Sequence, residues 1–189
     1  MDAPQEIALV RHPEVAAADG YCLGQSDLPL SEYGEGSVSE MVEKCRLWRP
    51  ELILASDREC CTRVAKPTAR RLQLEMVEDA VWREQYFGLW EGLAWAEIRG
   101  RFPEAYETWI AGGSAGCPPD GESLEDMQRR VVDALRALVA VPQQRILVVT
   151  HLGVIRAALC ASQGRSLREA YEMEFPFGSL TAIDAEFLW

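Results

Sequence analysis

Uninterrupted apolar residues fall in three short runs along this chain: Ile7–Val10, Leu52–Ala55 and, behind one arginine, Arg145–Val149. Runs of this length without alternation are what strands buried on both faces look like. Each is followed by helical signals. Ser31 opens a helix that runs to about Trp48 and stops ahead of Pro50. Ser56 and Asp57 are N-cap candidates for a helix over Arg58–Leu72. From Ser123 the apolar positions Leu124, Met127, Val131, Leu135 and Leu138 recur at spacings of three and four, which predicts an amphipathic helix, and an apolar helix follows His151 to about Cys160. The intervening segments are less regular. Glu14–Leu30 reads as irregular, with Gly20, Gly24 and Pro29 as breakers. A shorter strand is expected within Leu74–Val81, irregular structure over Trp82–Gly92, short helices near Ala94–Gly100 and Pro103–Ile110, a loop over Gly112–Gly121, and a last strand over Ser179–Phe187.

Repeated strand-to-helix units with all-apolar strands predict an α/β fold: a three-layer α/β/α sandwich on a mostly parallel central sheet, with one domain spanning 1–189. In such sheets ligands bind at the carboxyl ends of the strands.

Composition narrows the functional classes. The chain has 189 residues, 48% of them hydrophobic, enough for one well-formed core. Its formal charge of −11 argues against a nucleic-acid surface, whose affinity comes from clustered Lys and Arg on phosphates. The longest apolar runs fall far short of the roughly 18 residues of a membrane span. Met1–Glu6 is polar and acidic, so no secretory leader and a cytoplasmic location are expected, with room left for a homodimer. The six cysteines are scattered without CxxC spacing and read as free thiols. A zinc site finds little support, because the only histidines, His12 and His151, are far apart in sequence; neither metal nor cofactor is expected. The acidity sets one condition: an anionic substrate needs a pocket that overrides the global field.

Both histidines sit just past a buried strand, on the expected ligand edge. One histidine there is more often a hydrogen-bonded structural residue than a catalyst, but two of two is hard to reconcile with structure alone. Arg11 precedes His12, and its planar guanidinium suits bidentate phosphate contact.

The run Ile7–His12 resembles the signature strand and Arg-His motif of histidine phosphatases, the phosphoglycerate-mutase-like superfamily. Gly20–Gly34 resembles their glycine-containing loop, Arg83–Gly92 their acid-bearing segment, and Asp120–Ser123 and Thr150–Arg156 their later signatures, in the right order over most of the chain. The resemblance implies that His12 is the nucleophile and becomes phosphohistidine, its other ring nitrogen held by a backbone carbonyl. His151 acts as a cationic or donor partner on the phosphoryl oxygens alongside Arg11, and Glu84, kept protonated by burial, is the proton donor. Arg-His-Pro together with the Gly20–Leu30 stretch is similar to the alpha-ribazole phosphatase branch, which implies a small phosphomonoester as substrate, and Trp90, Trp95 and Trp109 are candidates either for stacking a heteroaromatic base or for core packing.

Three positions depart from the pattern. Cys60 stands where the family carries a second phosphate-clamping arginine; Arg63, one turn further on, is a displaced substitute, while Arg58 is expected to point away. Losing one such donor costs on the order of 100- to 1,000-fold in rate. Cys60 is either a passive replacement or a low-pKa thiol near a helix N-terminus and arginines. Pro13 replaces the usual glycine and cannot donate an N–H, and Ala18 replaces a frequent phosphate-binding asparagine. Three functions therefore stay open: a phosphomonoesterase, a weakly active or non-catalytic phosphate- or partner-binding member, and a mutase-type phosphotransferase.

Overall fold

A computed structural model describes residues 5–16 and 19–184. Strand β1 (Glu6–Arg11) leads through irregular backbone to helix α1 (Glu32–Leu47), which Ser31 caps by accepting from Gly34 N–H. Then come β2 (Leu52–Ala55), α2 (Glu59–Leu72) and β3 (Met76–Glu78). Short helices α3 (Trp95–Arg101) and α4 (Pro103–Gly112) precede α5 (Leu124–Leu138), β4 (Arg145–Thr150), α6 (Leu152–Ser162) and the closing strand β5 (Leu180–Asp184). The sheet order is β3-β2-β4-β1-β5, parallel throughout except for β5, which pairs antiparallel with the edge of β1.

The all-apolar strands are explained by two cores, one on each face. Ile7, Leu9, Leu54, Ile146 and Val148 point to the side covered by α5 and α6. Ala8, Val10, Ile53, Ala55, Leu147 and Val149 point to the side covered by α1 and α2. Period-two alternation persists, but both faces are dry, so no polar residue marks it in the sequence. This is the three-layer α/β/α sandwich the pattern predicts. A third, smaller cluster gathers Cys22, Trp90 and Ile98 with the aromatic rings of α3 and α4. Among the described residues no helix is long and apolar enough to cross a membrane.

One expectation needs correction. Helix α2 begins at Glu59 with Arg58 at the cap and no side-chain cap bond, because Ser56 and Asp57 are committed to the site described below. The short strand expected within Leu74–Val81 is Met76–Glu78; it ends where Asp79 accepts from Val81 N–H and turns the backbone into a 3-10 turn at Ala80–Trp82. The strand expected to reach Phe187 is described to Asp184, and residues 185–187 lie outside the described residues.

The long-period helix is the most secure element. Leu124, Met127, Val131 and Leu135 are all buried against the sheet, and a capping box between Ser123 and Asp126 fixes the helix start. Met127→Ala should therefore cost about 2–5 kcal/mol, whereas Asp133→Ala on the exposed side should change stability by less than about 0.5 kcal/mol. Urea unfolding of the two variants measures the contrast.

Candidate active site

Three neighbouring strands end in step. Arg11 lies opposite Thr150 and Ala55 opposite Val149, and the ladder continues one residue further: His12 N–H donates to the Thr150 carbonyl and Ser56 N–H to that of Val149, both at 2.9 Å. His12, His151 and Ser56 thus emerge side by side at the carboxyl edge, with the two imidazole centroids 5.0 Å apart. The two histidines face a pocket of about 880 Å³ whose wall also includes Arg11, Cys60, Glu84, Gly153 and Arg156.

His12 is buried, and its Nδ1 lies 2.6 Å from the carbonyl of Pro13, which selects the tautomer protonated there and leaves Nε2 with a free lone pair. The proline that lacks an N–H thus serves through its oxygen. Arg11 is held over the Phe177 ring at 3.8 Å and donates to the Phe175 carbonyl, while its buried Nε has no partner among the described residues. Burial pulls its pKa down, Glu84 opposes that shift, and the guanidinium stays charged.

His151 sits at the start of α6, its Nε2 2.9 Å from Ser56 Oγ and 3.6 Å from Cys61 Sγ. Burial first, then the neighbouring His12, Arg130, Arg58 and Arg11, push its pKa well below the ordinary histidine value. That environment favours the neutral imidazole over the cation, one of the two roles the resemblance implies. Arg58, expected to point away, does not line the pocket, yet its charge reaches His151 and its Nε is buried without a partner among the described residues.

Glu84 is only partly buried, less than expected for a carboxyl protected by burial. Its position is nonetheless tightly set: Oε1 accepts from Gln85 N–H at 2.9 Å and Oε2 from Gly153 N–H at 2.8 Å. The segment carrying it is anchored by Arg130, which donates to the carbonyls of Val81 and Glu84 and pairs with Glu122. Gly88 adds a second anchor, since a Cβ there would sit 2.1 Å from the Pro119 carbonyl oxygen and its φ is +55°. Arg83, beside Glu84, clasps Asp57 with both carboxylate oxygens.

The structure does not bring Arg63 to the pocket. It pairs with Glu35 on α1 and stays half exposed. Three positions along a helix place it about a turn further from the strand ends than Cys60, where Glu35 takes up its guanidinium. Cys60 itself lines the pocket and is buried. Its thiol is drawn down to about 5 by a hydrogen bond from Cys61 and, after the opposing effect of burial, by His12. The low-pKa reading of Cys60 is the one the geometry favours, but histidine and cysteine neighbours cause it rather than arginines. Ala18 lies outside the described residues.

The three tryptophans divide. Trp90 is fully buried in the aromatic cluster, whereas Trp95 and Trp109 stack on each other, 16° from parallel, and line the pocket next to Phe87. Sequence reasoning missed Ser56 as the neighbour of His151, Arg130 as the anchor of Glu84, and Gly153 as its seat. Only Gly153 had a signal, its place two residues after His151.

Fold and site together define an α/β/α protein with a paired-histidine pocket suited to an anionic phosphate. The pattern of the Histidine phosphatase superfamily (branch 1) matches residues 7–186, and the chain belongs to that superfamily. It is 32% identical over 161 residues to a metal-independent phosphoserine phosphatase of Arabidopsis thaliana, covering 80% of this chain and 66% of that protein. It is 34% identical over 121 residues to a bifunctional protein of Mycobacterium tuberculosis, covering 64% of this chain but 33% of that longer relative. In three dimensions it matches the alpha-ribazole phosphatase of Shigella flexneri with a TM-score of 0.82 at 24% identity, over 95% of this chain and 90% of that one.

Gly153 gives a direct test of how Glu84 is held. A Cβ there would meet Glu84 Oε1 at 2.1 Å, the movable end of a side chain rather than backbone. Gly153→Ala should fold with nearly unchanged Tm and displace the carboxyl. If Glu84 transfers protons, turnover should fall about 100- to 10,000-fold, read as kcat on a generic phosphomonoester beside a thermal melt.

Proposed function

We propose that this chain hydrolyses a small phosphomonoester through a phosphohistidine on His12. The observation that carries the reading is His12 itself, its Nδ1 pinned to the Pro13 carbonyl and its Nε2 free at a pocket that also presents Arg11 and His151. His12 Nε2 attacks phosphorus, the ester P–O bond breaks, and Glu84 gives its proton to the departing alkoxide. Water then attacks the phosphohistidine, Glu84 takes a proton back, and inorganic phosphate leaves. Arg11 and His151 stabilise charge on the equatorial oxygens. A neutral His151 already placed near them gains from the incoming dianion, which favours its protonated form and strengthens its hydrogen bond as charge develops. No step requires a metal, in keeping with the name of the Arabidopsis relative.

The finer reading is alpha-ribazole 5'-phosphate or a substrate of its kind, a phosphate on a heteroaromatic group. It is supported by the Arg-His-Pro and Gly20–Leu30 resemblance, by the shared fold of the Shigella enzyme, and by the Trp95–Trp109 wall. Phosphoserine, suggested by the Arabidopsis relative, has no ring to place against that wall. Cys60 favours a second reading, a slow or non-catalytic phosphate binder, because it removes one donor at the phosphate.

His12→Ala should abolish hydrolysis and remove acid-labile labelling of the protein by substrate phosphate; label retained on another residue overturns the nucleophile. A panel pairing alpha-ribazole 5'-phosphate with phosphoserine ranks the substrate classes by kcat/KM. Chelator treatment should leave turnover undiminished, and a strict requirement for added magnesium contradicts the chemistry.

A further inference from the structure

The wide separation that argues against a metal site in the sequence disappears in space. One ligand atom each from His12, Cys60 and His151 lies within 4.8 Å of the others, and all three residues are buried. Among the described residues this is the one such group. We propose that His12, Cys60 and His151 form a three-ligand site for zinc or a similarly thiophilic divalent cation, and that the bound metal switches off phosphoryl transfer.

The donor set is the one zinc prefers, two imidazole nitrogens and a thiolate, with a fourth position left to water or phosphate on the pocket side. Zinc–nitrogen bonds of about 2.0–2.1 Å and a zinc–sulfur bond of about 2.3 Å place tetrahedral ligands roughly 3.3–3.7 Å apart, so the three atoms must close by about 1 Å. Side-chain rotation supplies that much. His12 is already oriented as metal-bound histidines are, with Nδ1 on a backbone carbonyl and Nε2 free. Arg11 is the opposing charge. Glu84 lies close enough to act against it. An arginine at position 60 would do the reverse, supplying no lone pair and repelling the cation.

The inhibition rests on the proposed function, because the metal and the phosphoryl group would compete for one lone pair on His12 Nε2. The binding does not. Titrating the metal-free protein with Co²⁺ should give tetrahedral d–d bands and a thiolate-to-cobalt charge-transfer band at one metal per chain, and zinc should displace it. Cys60→Ala and Cys60→Ser should abolish the charge-transfer band and weaken zinc binding by more than the ~100-fold that loss of an outer partner costs. Cys61→Ser, confirmed as folded by its melt, should keep the band. No cobalt spectrum, or a band that survives both Cys60 variants, overturns the site. With stoichiometric zinc, hydrolysis by the natural protein should be lost and then restored by chelator. Undiminished hydrolysis with the cobalt or zinc site full overturns the switch. A protein inactive even without metal fails the proposed function and leaves the cobalt result standing as the test of the site.

Discussion

Everything at the site depends on three parallel strands ending in step. Because Arg11, Thr150 and Ala55 close the β1–β4–β2 ladder at nearly the same height, one further backbone hydrogen bond fixes His12 to the Thr150 carbonyl and Ser56 to that of Val149. Slipping β1 or β4 by two residues would keep its inward and outward faces yet displace one histidine from the other by about 7 Å along the strand. The dry cores on both faces hold the register that the chemistry needs.

The acidity of the chain is resolved locally. Thirty carboxylate residues against nineteen cationic ones set the global sign, and the pocket wall itself carries Glu14, Asp19 and Glu84 beside Arg11 and Arg156, but the cations concentrate around the histidines, where Arg11, Arg130 and Arg58 all act on His151. Several surface cations, including Arg46, Arg101 and Arg129, are paired with carboxylates on their own helices. Exposed pairs of that kind are screened and contribute little. The partly desolvated guanidinium of Arg11 acts in a lower dielectric, so its charge counts for more at close range than those surface pairs do.

Much of this was legible in the sequence, and for an identifiable reason. Strand runs, the α5 period and the placement of both histidines are local patterns, and parallel-sheet geometry turns them into one edge. Other features were settled by partners that sequence cannot rank. Arg63 was drawn off by Glu35 of a different helix, Ser56 and Asp57 were taken from capping by His151 and Arg83, and Asp79 ended β3. Trp90 and Trp95 lie five residues apart, yet one is core and the other pocket wall, because the chain turns between them before α3 begins at Trp95. The distance between His12 and His151 along the chain carried no information about their distance in space.

The aromatic cluster under α3 and α4 has a consequence of its own. Trp95 and Trp109 meet the pocket, but their support is Trp90, Ile98, Phe102 and Tyr106, packed as a satellite apart from the two sheet cores. Substitutions there trade packing with one another rather than with the strands that carry His12 and His151, so their effects on stability should add to, not couple with, those at the catalytic edge. The packing thus separates two sheet cores that hold the histidine edge from an aromatic satellite that walls the same pocket, so the satellite can be repacked without disturbing the strand register.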